Sequence, residues 1–290
     1  MKAFEKQTKY VFSGFVICFA VIFSFNGLWA VPPDSLTQTF EVAPGGVLKV
    51  SAEHGSVEVT SGSSDQVQIE IVPKGWGLDE LQDDFTISFD QSGNDVLVEI
   101  ERKSSVTKWF SFGRSKGFVL YATVPFEFNV DLGTSGGSIA VADLKGEVKT
   151  TTSGGGLSFG QIEGPIWGRT SGGGIQLNEC NGSVDVETSG GGIKIGAVDG
   201  TLRAHTSGGS ISIESASGSA DLGTSGGSIR IENVAGQINA KTSGGSIEAA
   251  LLEQPEGDCY LGTSGGSVTV ELASNLRFDV DAKTSGGQVK

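Results

Sequence analysis

The sequence predicts an all-β protein built as a β-solenoid (β-helix) of 18–21-residue coils, preceded by a β-rich region. Three observations carry this. Thr-Ser-Gly-Gly begins at residues 134, 152, 170, 188, 206, 224, 242, 263 and 284, every 18 residues as far as Thr242 and every 21 after it. Apolar and polar residues alternate within each interval. A further glycine holds one fixed place in six successive repeats. A short constant period means that each unit is too small to bury a core alone and does so on its neighbours.

Glycine is abundant, at 45 of 290 residues, which also occurs in collagen and in disordered linkers. There is no Gly-X-Y period and there are only 7 prolines, so collagen is excluded. The 37% hydrophobic content, much of it Ile and Val, suits strands around a core.

Positions are numbered here from the Thr of each repeat. Position 6 is Ile139, Leu157, Ile175, Ile193, Ile211 and Ile229, and position 8 is Val141, Phe159, Leu177, Ile195, Ile213 and Ile231. Position 15 is Val148, Ile166, Val184, Leu202, Ala220 and Ile238. Polar residues such as Gln176, Lys194 and Arg230 stand between them, the period-two pattern of strands with one buried face. Position 13 is Gly146, Gly164, Gly182, Gly200, Gly218 and Gly236, which predicts a bend with positive φ or no room for a side chain. Gly-Gly at positions 3 and 4 predicts a second bend. Each coil adds about 4.8 Å, so eight intervals give a rod of roughly 40 Å. The Thr shares a strand face with positions 15 and 17. It is therefore expected inside or at the corner, in a ladder of hydroxyls each donating to the next coil. The 21-residue repeats keep this frame and place their extra residues around "EQPEG" and "ASNLR", widening one corner.

Residues 31–133 contain no repeat but read as strands: "TFEV" (39–42), "VLKVSAE" (47–53), "SVEVT" (56–60), "VQIEIV" (67–72), "FTISF" (85–89), "VLVEIE" (96–101), "FVLYATV" (118–124) and "FNVDL" (128–132). "GS" at 62–63 and "GN" at 93–94 supply turns. This region is expected to cap the core of a solenoid spanning 134–290. Helix is expected to be minimal outside residues 1–30.

Residues 1–30 are of another kind. Lys2, Lys6 and Lys9 precede the apolar run 11–25, and Ala30 ends the segment. This is the pattern of an export signal peptide, placing the chain in the periplasm or at the cell surface. The alternative is an uncleaved anchor over residues 11–30, the only membrane contact the sequence suggests; Leu28 is large for a cleavage site, and the run is short for a span. Without residues 1–30, which hold three Lys and one Glu, the net charge falls from −14 to −16. A surface this acidic repels nucleic acid and anionic headgroups.

The segment "GGVLKVSAEHGSVEV" (45–59), the "VP" at 124–125 and the serial "TSGGSIxI…GxVxAxTSGG" coils resemble the bacterial "putative adhesin" β-solenoid domains, a family of unknown function. The resemblance covers residues 40–290. It implies an exported or envelope protein with a β-helical fold, and it brings no catalytic residues.

Chemical motifs weigh little against the repeat. "GTSGG" around Ser135, Ser225 and Ser264 fits G-x-S-x-G, but no helix follows, and the chain has only His54 and His205 as candidate partners. His205 is an outward position-18 residue with no Cys or His at ligand spacing, so neither metal nor cofactor is expected. Glu214 and Glu232 share outward position 9 one coil apart and read as a solvated acidic face rather than a glycosidase pair. "NGS" at 181–183 contains the bend glycine and is read as architecture, not as a glycosylation site. The stretch "TKWFSFGRSKG" (107–117) is basic and aromatic in an acidic protein. Trp109, Phe110, Phe112 and Arg114 are candidate contact residues for a surface glycan or an envelope protein; the competing expectation is that they pack on the first coils.

Cys180 and Cys259 lie four coils apart, roughly 19 Å along the stack, beyond disulfide reach. Both are expected reduced and buried. The sequence thus reads as a non-enzymatic adhesin-like, binding or structural module of the bacterial envelope. The alternatives are a carbohydrate-active β-helix enzyme and an accessory protein of envelope-stress sensing.

Overall fold

A computed structural model of the protein describes residues 35–103, 117–255 and 257–281. The described residues form one compact unit. Two sheets of 13 and 11 strands, here sheets A and B, run the length of the described chain. Each repeat from Thr152 to Thr242 contributes one strand to each. The Thr188 repeat gives Ile193–Asp199 to sheet A and Leu202–Thr206 to sheet B. Every strand from residue 129 onward lies parallel to its neighbours, and each pairs with the residue one repeat away.

The alternation sets what faces inward. Ile193, Ile211 and Ile229 pair directly and are buried, forming the expected column. Positions 8, 15 and 17 behave alike. In sheet A the alternation breaks at positions 9 and 10, where two residues in succession face out, and position 11 returns to the core as Ile162, Cys180, Val198, Ala216 and Val234. Volumes compensate between columns: Gly168 leaves position 17 empty, and Leu157, Phe159 and Val186 border the space a Cβ would occupy.

The corner made by the tetrapeptide explains its recurrence. A Cβ built at Gly191, position 4, would fall inside the contact distance of the Gly173 carbonyl, and the equivalent glycines from Gly137 to Gly266 meet the coil before them in the same way. Backbone lies directly on backbone there. The same Gly173 oxygen accepts the hydroxyl of Thr188 at 2.7 Å, and Gly191 accepts that of Thr206 at 2.8 Å. The Thr ladder is therefore real, but it differs from the expectation. Each hydroxyl donates to a glycine carbonyl of the preceding coil rather than onward to the next coil, because that carbonyl points into the corner beneath it. The Thr residues from 134 to 242 are buried, as this requires. Position 13 is the second close approach: Gly200 has φ +154°, and a Cβ on it would collide with the carbonyl of Gly182.

The strands ahead of residue 134 join the same sheets. In chain order they are β1 (Leu36–Glu41), β2 (Val47–Ala52), β3 (Gly55–Gly62), β4 (Gln66–Lys74), β5 (Phe85–Ser92), β6 (Asp95–Arg102), β7 (Gly117–Pro125) and β8 (Asn129–Thr134). β2 lies parallel between β6 and β8, and β3 lies parallel between β7 and Ile139–Val141. Residues 47–62 thus stack as a coil, with Ala52 opposite Thr134 and Val57 opposite Ile139. His54 takes the position-3 place with φ +62°. The antiparallel strands β1 and β4 continue sheet A, and the antiparallel β5 ends sheet B. The turn at Gly93, φ +62°, makes the β5–β6 hairpin. The turn at 62–63 makes no hairpin, because β7 lies between β3 and β4.

The structure adds one helix the strand pattern did not foresee, Leu78–Asp84 (α1). It has acidic Asp79 and Glu80 in its first turn, which favours the positive end of the helix dipole, and it buries Leu81. At the far end Val268, Val270 and Leu272, which continue the pattern of the coils before them, are exposed.

Cys180 and Cys259 are both free, as the coil register requires. Cys180 is buried, its thiol hydrogen-bonds the Gly164 carbonyl, and desolvation pushes its pKa up to about 11. Cys259 corrects the expectation of two buried thiols, because it is only half-buried. It lies just before Tyr260–Thr263, which among the described residues is the last strand of sheet B and has a neighbour on one side only.

Two outcomes follow from this frame. Gly200→Val should destabilise by about 3 kcal/mol or more through collision and backbone strain, whereas outward-facing Lys194→Val should stay within about 0.5 kcal/mol; chemical unfolding midpoints measure both, and equal midpoints would contradict the stacking. Thiol labelling of native protein at pH 8, mapped by mass spectrometry, should modify Cys259 readily and Cys180 only after denaturation, since the thiolate reacts and Cys180 is both neutral and enclosed.

Candidate functional site

The sequence candidates Trp109, Phe110, Phe112 and Arg114 lie outside the described residues. Their described flanks place the loop's base. Ile100 pairs with Ala52 and Phe118 with Gly55, so Arg102 and Gly117 stand where the other coils make their Ser-Gly-Gly corner. Phe118 packs edge-on to Phe85 at 5.6 Å, and Phe85 does the same to Trp76 at 5.9 Å. The Trp76 indole N–H donates to the Gly117 carbonyl at 2.6 Å.

The other motifs resolve into architecture. Ser135, Ser225 and Ser264 are exposed turn residues followed by strands. The carbonyl of Ser225 accepts the N–H of Gly244 from the next coil at 3.0 Å. Glu214 and Glu232 are exposed. His205 pairs with Asp221 at 3.2 Å on the outer face of sheet B, which makes it a participant in a surface network rather than a lone solvated side chain. Among the described residues no three His, Cys, Asp or Glu side chains converge as a metal site would require.

The outer faces of the two sheets differ. On sheet A the position-7 column is polar, with Lys194, Ser212, Arg230 and Glu248 in register and an Arg230–Glu248 ion pair at 2.7 Å. On sheet B the position-16 column runs Trp167, Asp185, Arg203, Asp221, Asn239 and Tyr260, each paired directly with the next. A shallow open trough follows it from Asp185 to Tyr260. Three aromatic residues occur between 134 and 272. Phe159 is in the core, and the other two, Trp167 and Tyr260, both stand in this column with four polar residues between them.

Cations hold both rings. The Arg169 guanidinium lies 4.6 Å from the Trp167 ring centroid and Lys149 lies 5.6 Å from it. Arg169 is itself fixed by Asp185 at 2.9 Å and Glu187 at 3.4 Å. Lys241 lies 5.0 Å from the Tyr260 ring centroid. Between the rings Asp221 accepts from the Asn239 amide at 2.8 Å and meets His205. The Arg203 side chain makes no hydrogen bond or ion pair among the described residues, although Asp185 and Asp221 flank it in register.

Counting forward from the Thr of each repeat does not bring Trp167 and Tyr260 together. Tyr260 lies in a 21-residue repeat, where counting forward from the Thr loses the frame. Counting back three residues from the next Thr finds both rings: Thr170 gives Trp167 and Thr263 gives Tyr260.

Comparison with known proteins places these features in a family. The model of the Toastrack DUF4097 family matches residues 47–290. No curated protein matches the chain. Among solved structures, a "putative adhesin" from Bacteroides fragilis is 13% identical with a TM-score of 0.43, covering 82% of this chain and 97% of its own. A "putative lipid binding protein" from Parabacteroides distasonis is 17% identical with a TM-score of 0.46, covering 83% and 98%. A "putative cell adhesion protein" from Clostridium sporogenes is 12% identical with a TM-score of 0.33, covering 82% and 100%. With the family model spanning the corner, both sheets and the β2–β3 coil that precedes the repeats, the chain belongs to the Toastrack DUF4097 family of β-solenoid proteins.

Proposed function

We propose that the protein is exported and serves the bacterial envelope as a non-enzymatic, adhesin-like binding or structural module. One observation carries the reading: a stiff frame presents outward side chains in straight, in-register columns, and its troughs are shallow and open on the outer faces. Such a surface suits an extended partner better than a small substrate that must be enclosed and kept from water. The basic and apolar residues 1–30 support export, and the acidic surface supports a partner other than nucleic acid. In this reading the strands before residue 134 close the N-terminal end of the core, the requirement at the end of any solenoid.

Cell fractionation with N-terminal sequencing tests export. The protein should appear in the periplasm or at the surface and begin at Val31, or remain in the membrane with residues 11–30 retained. Recovery from the cytosol as the full chain would overturn the reading. Pull-down from envelope extract then tests binding, and capture of no envelope component would leave only the structural role.

A further inference from the structure

Resting on the reading of the protein as a binding module, we propose that the outer face of sheet B binds a neutral, extended oligosaccharide laid along the solenoid axis. Trp167 and Tyr260 act as the ring platforms, and Asp185, Arg203 and Asp221 meet hydroxyls between them. The six residues of the position-16 column from Trp167 to Tyr260 are in direct register over five coil steps, about 24 Å, the span of a short oligosaccharide. Tyr260 is 58% exposed although it is large and partly apolar. The placement of both outward aromatics of residues 134–272 in one column, with four polar residues between them, is what a linear ligand with flat apolar faces would use.

The chemistry between the rings selects the ligand class. Asp185 and Asp221 offer acceptors, Arg203 offers free donors, and Asn239 offers both. The trough sets Asp185, Asp221 and Asp258 against Arg203 and Lys241, with the signs mixed along its length, so it suits hydroxyls rather than a run of charge of either sign. A phosphate or sulfate chain would meet the two carboxylates. A peptide adding as a strand would run across the solenoid axis on an open backbone edge, whereas a ligand laid along the trough crosses strands that, from Val184–Thr188 to Ile238–Thr242, are paired on both sides. The surroundings hold the site in place beforehand: Arg169 is pinned by two carboxylates while it lies against Trp167. This reduces the ordering cost of binding.

Native gel electrophoresis through gels cast with barley β-glucan, galactomannan or birch xylan tests this with intact protein. Wild type should be retarded by at least one of them. The Trp167→Ala/Tyr260→Ala double variant and the Arg203→Ala variant should bind about tenfold more weakly or worse. Lys194→Ala/Arg230→Ala, on the opposite face, should behave as wild type. Circular dichroism confirms folding, and Arg203→Ala gives a reading should the aromatic variant fail to fold. Absence of retardation for wild type in all three gels, or full retention by both sheet B variants, would overturn the proposal. The same variants in envelope pull-downs separate the two levels. Capture that survives in the double variant, or after periodate oxidation of extract glycans but not protease treatment, sinks the glycan face and keeps the binding module. Loss of capture even for wild type sinks the binding reading itself.

Discussion

At the Thr-Ser-Gly-Gly corner, the backbone of one coil lies on the backbone of the next, and most of the structure depends on that approach. A side chain at position 4 cannot fit, since the carbonyl of the previous coil occupies its space. That carbonyl would be buried without a partner were it not for the Thr hydroxyl of the following coil, which donates to it at 2.6–2.8 Å from Thr134 to Thr263. An unsatisfied buried carbonyl costs about 1–3 kcal/mol. The glycine and the threonine are therefore one device spread over two coils. The Gly at position 13 repeats the close approach at the opposite corner, so each coil is seated at two places.

Seating of this kind fixes register. Every residue stands over the residue one repeat away, and the inward columns become continuous apolar stacks. The core needs only compatible volumes within and between columns, as where Leu157, Phe159 and Val186 border the space left by Gly168. The outward columns take no part in seating, and their side chains are free to vary. On sheet A that freedom yields a mixed polar surface. On sheet B it yields two rings with polar groups between them. The functional reading rests on this division, in which the stacked corners supply rigidity and the outward columns supply chemistry.

Much of this was legible because the period was strict. The column of Ile193, Ile211 and Ile229, the bend at Gly200 and the separation of the cysteines all came from counting positions. What counting missed had physical reasons. The Thr acceptor is a backbone carbonyl, and backbone groups leave no mark in a residue pattern. α1 is seven residues long and buries only Leu81, too little for a helical period to show. The coil at 47–62 was hidden because Ala52, Glu53 and His54 replace Thr, Ser and Gly; position 3 tolerates His54 since it lacks the position-4 collision, and only Gly55 at position 4 is kept. Tyr260 was missed through the three extra residues of its repeat. The half-burial of Cys259 reflects its place beside a strand that, among the described residues, is paired on one side only.

The central claim is that position 4 is glycine because of backbone contact, while its neighbour at position 3 is not so constrained. A Cβ at Gly190 would lie 3.2 Å from the Gly172 carbonyl oxygen, a tight contact that a shift of a few tenths of an ångström relieves. At Gly191 the backbone of the previous coil leaves no such room. Comparing the unfolding free energies of Gly190→Ala and Gly191→Ala in urea tests the account most directly. It predicts a loss of about 3 kcal/mol or more for Gly191→Ala and about 1 kcal/mol or less for Gly190→Ala. Equal losses, or a larger one at Gly190, would contradict it.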